Sequence, residues 1–423
     1  MIAIDFGTTN SSVAVLSDGD ATPRLQSLEF GDPESYNAQV LPSVSCECGS
    51  DKCRAKRKTY GHEALRHGFE VQHDTKLLQE MKLHFDRSTV EPATFLETRS
   101  VTALREDRSG ALNPIVKVQR VARYDDEVPL LPKDFVPGTA TLVKELINRS
   151  KPNAADRKDI VLGVPASFGG VGIRHLREAA KRGAFGESPG YEGISLYLEP
   201  LAAARAYMEI ATGNTLVLDY GGGTLDITVM RIKEPGKFDL KRDILGVSGF
   251  PEGGSEMDYQ ILQHCLSKAG ETGSTWFQKQ PLSARFRIKR NVEGAKIKLS
   301  TTGAASVEFP GSPFGSITLT APDISYALQP IMTRMTAAVT QTVVRAVGSI
   351  ENIDFVVMSG GTSLSEVVQT SVLAMFRHIS QEKFVLPNAK DRSSIESCMC
   401  AVAKGLALLR ADRFAPIDVD DVR

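Results

Sequence analysis

One short pattern occurs twice in the sequence, and this repeat constrains the fold more than any other feature. Residues 2–16 read IAIDFGTTNSSVAVL and residues 216–230 read LVLDYGGGTLDITVM, so that Asp5 aligns with Asp219. In both segments an apolar run passes through a turn of small residues into alternating apolar and polar residues, which is typical of a β-hairpin. Because the copies lie half a chain apart, they predict two homologous domains rather than a stack of short repeats.

The length and composition suit a globular protein of two or three domains, since the chain has 423 residues. The 50 Lys and Arg residues are balanced by 51 Asp and Glu residues, and this net charge of −1 argues against a general nucleic-acid binder. No apolar run approaches the ~18 residues of a membrane helix, and we expect no secretory signal. Six cysteines are too few for a disulfide scaffold, so we expect a cytoplasmic protein with reduced thiols.

The chemistry of the two turns indicates phosphate binding. A turn of Gly and Thr exposes consecutive backbone N–H groups, and such a concavity suits phosphate oxygens. A carboxylate just before the turn would repel phosphate unless a hydrated Mg²⁺ lay between them. Asp5 and Asp219 each precede such a turn, and a third glycine turn follows the apolar run at residues 355–358. The matched pair therefore favours a nucleotide site over two purely structural hairpins.

Other catalytic motifs are absent from the sequence. It contains no G-x-x-x-x-G-K-[ST] phosphate loop, no G-x-G-x-x-G after a first strand and no G-x-S-x-G nucleophile turn. His62 and His67 resemble a zinc-protease pair, but they are five residues apart and would point to different faces of a helix. A separate stripe with Ile395, Val402 and Leu409 predicts one last helix that begins at a capping box near Ser393.

These motifs resemble the nucleotide-binding domain of the seventy-kilodalton heat-shock chaperones, the DnaK-like branch of the actin, hexokinase and heat-shock ATPase superfamily. The matching segments occur in order along the chain: DFGTTN (5–10), VPASF (164–168), LEPLAAA (198–204), DYGGGTLD (219–226), GGSEMD (253–258), SGGT (359–362) and AKGLA (403–407). The resemblance implies an α/β, duplicated, actin-like (ribonuclease H-like) fold. Its two lobes would each contain a mixed five-stranded sheet with flanking helices and an inserted subdomain.

The resemblance also implies domain boundaries. We expect the first lobe at residues 1–211 with 395–423, carrying an insertion at about 30–135. We expect the second lobe at 212–394, with an insertion at about 249–325. Residues 86–140 show weak periodicity and receive no further assignment.

The resemblance assigns roles to individual residues. Asp5 and Asp219 would hold hydrated Mg²⁺, and Thr8 and Thr224 would lie near the attacking water. Glu199 and Asp226 would help to position that water or the shell of the metal. The wider nucleotide-binding set implied by the family comprises Gly7, Thr8, Thr9, Asn10, Gly221, Gly222, Gly223, Thr224, Gly253, Gly254, Glu293, Lys296, Ser300, Gly360, Gly361 and Thr362. The last three form the adenosine loop, and Glu293, Lys296 and Ser300 share one helical face for ribose and adenine.

A lysine of the first lobe should lie beside the γ-phosphate, and two candidates are present. We favour Lys82 over Lys76, because the sequence MKLHF around Lys82 better matches a lysine followed by apolar residues. An ordinary surface lysine remains the alternative at each position.

Two features depart from the family pattern. The two arginines that flank the adenine are replaced by Ile297 and Leu364, so the cation–π contribution to base binding would be lost. The β-sandwich and helical lid that clamp client peptides have no counterpart in the sequence, which therefore resembles a stand-alone ATPase domain.

The resemblance implies an ATP-binding protein that hydrolyses ATP slowly with Mg²⁺, a nucleotide-gated switch or chaperone. We expect ATP or ADP as ligand, a protein partner or co-chaperone, no membrane or nucleic-acid partner, and a monomer or weak dimer. An actin-like filament-forming ATPase and a binding-only pseudo-ATPase remain alternatives. Cys46, Cys48 and Cys53 could bind Zn²⁺, although free thiols are the favoured interpretation.

Overall fold

The computed structural model describes residues 1–17, 19–26, 28, 40–43, 136–150, 159–186, 193–235, 239–280 and 282–417. Between residues 44 and 135 it describes the backbone of five strands. These are β5 (Ser45–Cys48), β6 (Thr59–Tyr60) and β7 (Thr75–Leu78), which form one small sheet, and the hairpin of β8 (Arg99–Glu106) and β9 (Leu112–Gln119).

The first sheet contains the first copy of the repeated hairpin. Its strands lie in the order β11 (Ile194–Leu198), β10 (Ile160–Val164), β1 (Ile2–Phe6), β2 (Asn10–Val15) and β3 (Arg24–Leu25), and β4 (Val40–Pro42) also pairs with β2. Strand β1 pairs antiparallel with β2 and parallel with β10. The sheet is therefore mixed, with six strands rather than the predicted five, because β4 adds to one side of β2.

The second sheet repeats this topology. Its strands lie in the order β14 (Ile244–Phe250), β13 (Leu225–Ile232), β12 (Gly213–Tyr220), β17 (Phe355–Ser359) and β18 (Phe384–Val385). Strand β12 pairs antiparallel with β13 and parallel with β17, as β1 does with β2 and β10. The prediction of a duplicated mixed α/β fold is confirmed. A further hairpin of β15 (Ala304–Glu308) and β16 (Ser316–Thr320) stands apart from this sheet.

Helices cover both sheets. They are α1 (Val136–Arg149), α2 (Gly170–Phe185), α3 (Glu199–Tyr207), α4 (Leu240–Asp243), α5 (Gly254–Lys268), α6 (Glu271–Gln278), α7 (Leu282–Thr302), α8 (Ala321–Val347), α9 (Glu366–Met375), α10 (Arg392–Met399) and α11 (Ala401–Ala411). The predicted last helix is two helices, since the backbone leaves helical geometry at Cys400. The N-cap of the first of them is Asp391, whose side chain accepts a hydrogen bond from the Ser393 N–H, so the predicted capping box was misplaced.

Helices α3 and α11 pack between the two sheets and join them. A buried cluster combines Val161 of the first sheet, Val217 of the second and the small side chains of both helices, such as Ala203. A Cβ atom added to Gly405 of α11 would lie 1.8 Å from the Ala202 carbonyl oxygen of α3. This contact requires glycine, and it brings the backbones of the two helices together at the base of the cleft between the sheets.

Candidate functional site

A cavity of about 270 Å³ opens between turns of the two sheets. Most of the residues predicted to bind nucleotide or metal line it: Asp5, Gly7, Thr8, Thr9, Asn10, Glu199, Asp219, Gly221, Gly222, Gly223, Thr224, Gly254, Glu293, Lys296, Ser300, Gly360, Gly361 and Thr362. They come from the ends of β1, β12 and β17 and from α3, α5 and α7. Segments scattered over some 350 residues of sequence therefore converge on one cavity.

The two repeated turns meet across this cavity. Gly222, in the turn between β12 and β13, approaches Thr9, in the turn between β1 and β2. A Cβ atom at Gly222 would lie 2.0 Å from Thr9 Oγ1, so a glycine is needed for the turns to come this close. The turn at the start of α5 supports the same region, because Ser255 N–H donates to the Gly222 carbonyl at 2.8 Å. The backbones of both turns therefore form one continuous wall.

Carboxylates gather beside these turns. Asp219 is buried, and its pKa is raised well above its usual value by burial first and then by the negative charges of Asp5, Asp226 and Glu199. Such a cluster is stabilised by a bound cation or by a proton. Within the residues that the structure describes, no three His, Cys, Asp or Glu side chains are grouped to ligate a metal ion directly. Asp5 and Asp219 both line the cavity, and such carboxylates suit a hydrated cation that touches few protein ligands itself.

Asp226 does not line the cavity, although a role beside the water or metal was predicted for it. Its buried carboxylate accepts a hydrogen bond from Ala166 N–H at 2.9 Å and one from the Thr224 hydroxyl at 3.3 Å. Ala166 follows β10 of the first sheet, whereas Asp226 belongs to β13 of the second. Asp226 therefore connects the two sheets beside the cavity wall, and its predicted role stays a prediction. Gly253, also predicted to bind nucleotide, lies behind the wall, against Gly222.

Helix α7 forms a charged wall of the cavity. Lys296 Nζ lies 2.7 Å from Asp258 Oδ1 and donates to the Gly254 carbonyl at 3.1 Å, so this side chain ties α7 to α5. Burial raises the pKa of Asp258, and the charge of Lys296 opposes that rise. One turn earlier on α7, Arg290 donates a hydrogen bond to the Glu293 carboxylate.

Apolar side chains cover another part of the cavity. Ile297 and Leu364 both line it, at the positions where the sequence comparison placed the lost arginines. Met399 and Val402 add apolar surface from α10 and α11. The cavity therefore offers a flat ring two apolar contacts but no guanidinium at these positions.

Several lining residues were not among the predicted site residues: Pro42, Met257, Asp258, Arg290, Ser365, Ala389, Cys398, Met399 and Val402. Arg290 could have been found, because it lies three residues before Glu293 on the same helical face. Met399 and Val402 could not, because their positions depend on how α10 and α11 pack.

The thiols of Cys398 and Cys400 are buried beside the site, and neither forms a disulfide with the residues that the structure describes. Burial raises the pKa of each to about 12, which disfavours the reactive thiolate form at neutral pH. The zinc hypothesis concerned Cys46, Cys48 and Cys53, whose side chains lie outside the described residues. Only the backbone of the first two is described, in β5.

The two lysine candidates are not distinguished by this geometry. Lys82 lies outside the described residues. Lys76 lies in β7, of which only the backbone is described. The preference for Lys82 therefore remains a prediction.

The profile of the Hsp70 protein family matches residues 135–388, which is more than half of the chain. The chain belongs to the Hsp70 family. It is 30% identical over 223 residues to the chaperone protein DnaK of Elusimicrobium minutum, covering 50% of this chain and 34% of that protein. It is 24% identical over 388 residues to the chaperone protein DnaK of Gracilaria tenuistipitata var. liui, covering 89% of this chain and 56% of the relative.

A third relative is a chaperone protein DnaK of Thermus thermophilus, which is 26% identical over 327 residues, 68% of this chain and 51% of that protein. This Hsp70-family chain thus spans about a third to just over half of the length of these relatives. Among its described helices, none is long and apolar enough to cross a membrane.

Proposed function

We propose that this chain binds ATP with Mg²⁺ in the cavity between its sheets and hydrolyses it slowly. The observation that carries the proposal is the meeting of the two Asp-led turns, with Thr9 and Gly222 in contact across the cavity. Membership of the Hsp70 family, whose DnaK relatives are named chaperones, supports the same conclusion. Mg²⁺ would be held near Asp5 and Asp219, where it would neutralise phosphate charge.

The residues of the chain would act by positioning, because phosphoryl transfer demands little covalent chemistry from the protein. Thr8 and Thr224 line the cavity and would orient the water with their hydroxyls. The water oxygen would bond to the γ-phosphorus as the bond to the β–γ bridging oxygen breaks, and that oxygen would leave as part of ADP. Glu199, at the first position of α3, would accept a hydrogen bond from that water. The lysine candidate Lys82 would place positive charge beside the γ-phosphate.

Nucleotide would then gate the arrangement of the two lobes, because its phosphates touch turns from both sheets. A protein partner or co-chaperone would read the difference between the ATP and ADP states. A pull-down from cell extract with each nucleotide tests this step, and a partner set that is identical in both states would contradict it. The lobe boundaries given above remain part of this proposal.

The binding step is tested with Asp5→Asn and Asp219→Asn by titration calorimetry of ATP with and without Mg²⁺. Each variant is expected to lose Mg²⁺-dependent affinity and to keep the weaker Mg²⁺-independent binding. Glu308→Gln, an exposed acid on β15, is the matched control and should bind as the wild type does. Unchanged Mg²⁺-dependent affinity in both site variants would refute the two-turn arrangement.

Hydrolysis and assembly separate the alternatives. Release of phosphate in single turnover distinguishes an ATPase from a binding-only protein. Light scattering on addition of ATP distinguishes both from a filament former, which would scatter more strongly as it assembles.

A further inference from the structure

The charged wall of α7 contains an arginine that the family resemblance did not point to. Arg290 and Glu293 lie three residues apart and therefore share one helical face, and both line the cavity. Arg290 Nη1 donates to Glu293 Oε2, and the two side chains are 30% and 16% exposed. This pair is partly withdrawn from solvent, so it is worth more than an ion pair on an open surface.

Lys296, the other expected ribose contact, is already engaged. Its Nζ forms an ion pair with Asp258 and donates a hydrogen bond to the Gly254 carbonyl, and both partners belong to α5. Recognition of a sugar on this wall therefore falls mainly to Glu293.

The Glu293 carboxylate is suited to that task. Its Oε2 accepts from Arg290, and its Oε1 makes no hydrogen bond to the part of the chain that the structure describes. A ribose presents two neighbouring hydroxyl donors, and an ionised carboxylate is a strong acceptor for them. A glutamate that is held in one orientation also loses less side-chain entropy when it binds such a hydroxyl.

We propose that Arg290 is a positioning residue that fixes Glu293 to read the ribose hydroxyls, so that the site selects ribonucleotides over deoxyribonucleotides. The inference rests on the proposed binding of ATP in this cavity. Arg290 also offsets the negative charge of Glu293, and this lowers the cost of covering the carboxylate with a ligand.

The test compares dissociation constants for ATP, 2′-deoxy-ATP and 3′-deoxy-ATP, each with Mg²⁺, by calorimetry. The wild type is expected to bind at least one deoxynucleotide about ten- to a hundredfold more weakly than ATP, since one hydrogen bond to a charged acceptor is lost. In Arg290→Gln, the affinity for ATP should fall towards the affinity for that deoxynucleotide, so that the ratio of the two dissociation constants approaches one. Glu293→Gln should lower the ratio in the same way, and Arg290→Lys should restore part of it.

Arg287→Gln is the matched control, because Arg287 is exposed on the same helix and does not line the cavity. It should keep the wild-type ratio. An Arg290→Gln variant that keeps the wild-type ratio, or that binds all three nucleotides more weakly by the same factor, would overturn the inference. The proposed binding of ATP would not be affected by that result. A wild-type protein that bound none of the three would refute the proposed function as well. Circular dichroism of each variant checks that it is folded. If Arg290→Gln does not fold, the single variants Glu293→Gln and Arg290→Lys test the same change in the ratio of dissociation constants.

Discussion

Gly222→Ala is expected to keep the two sheets from approaching each other across the cleft. The added Cβ atom would lie 2.0 Å from Thr9 Oγ1 and 2.8 Å from Thr9 Cβ. Rotation of the threonine side chain relieves the first contact but not the second, because Cβ is fixed to the backbone. One of the two turns must therefore move.

The size of the effect follows from these distances. Forcing an extra methyl group into a packed contact costs about 1–3 kcal/mol. If this cost destabilises only the state in which both turns contact the same ligand, the apparent affinity for ATP drops by about five- to 150-fold. Binding to one turn alone would be spared.

Calorimetry measures the affinity, and small-angle X-ray scattering with and without ATP measures whether the molecule becomes more compact. Gly294→Ala is the control, since a Cβ there meets no atom within 4 Å and Gly294 does not line the cavity. Thr9→Gly in the Gly222→Ala background should recover part of the lost affinity, because the nearest remaining atom of Thr9 is its nitrogen at 3.4 Å.

Two results would refute this reasoning. One is a Gly222→Ala variant that binds ATP like the wild type. The other is a double variant with Thr9→Gly that binds no better than Gly222→Ala alone, since the contact with Thr9 would then not be the cause.

Three further predictions concern the base, the rate and the stability. The double variant Ile297→Arg and Leu364→Arg should bind ATP about tenfold more tightly or better, because each restored cation–π contact is worth about 0.5–2 kcal/mol. If calorimetry shows no gain in affinity, these positions do not face the base. Lys82→Ala should slow single-turnover hydrolysis by about a hundredfold with little loss of ATP affinity, because the cation acts on charge that develops in the transition state. If only Lys76→Ala has this effect, Lys76 is the lysine beside the γ-phosphate. Asp323, the third residue of α8, completes a capping box with Thr320, and hydrogen bonds from a lysine, a threonine and a histidine lower its pKa. Asp323→Asn should therefore lower the free energy of unfolding, measured with urea at pH 7, by about 1–2 kcal/mol. Because a depressed carboxyl pKa stabilises the fold above about pH 4, that difference should shrink as the pH falls below about 4, and a constant difference would contradict it.

The duplicated sheets could be predicted from the sequence because their signal is local. Alternating residues and a Gly turn specify a hairpin without reference to the rest of the chain, and Asp5 and Asp219 mark equivalent positions in the two hairpins. Most of the candidate site followed from these turns and from helical spacing, as with Glu293. The pairing of β4 with β2 could not be predicted in this way, because it depends on which distant strand packs beside β2 in the folded chain.

The remaining differences arise where two distant segments meet. Asp226 follows the second turn in sequence, so it was expected beside the ligand. Its carboxylate also accepts a hydrogen bond from Ala166 N–H, next to the first sheet, and no local pattern encodes that partner. The break between α10 and α11 has the same origin, because the apolar stripe continues through it and only packing against α3 shows where the helix ends.

The position of Glu199 shows why the state of the site and the arrangement of the lobes would be coupled. Its carboxylate lines the cavity, while the helix that it begins packs with α11 between both sheets. The carbonyl of the next residue, Pro200, accepts a hydrogen bond from the Thr228 hydroxyl of β13 at 2.9 Å, so the second sheet holds the start of α3 directly. A rotation of one sheet against the other would have to shift α3, and with it the carboxylate proposed to orient the water. Hydrolysis and lobe movement would then share one mechanical element, the alanine-rich helix pair, whose small side chains bring both sheets within reach of Glu199.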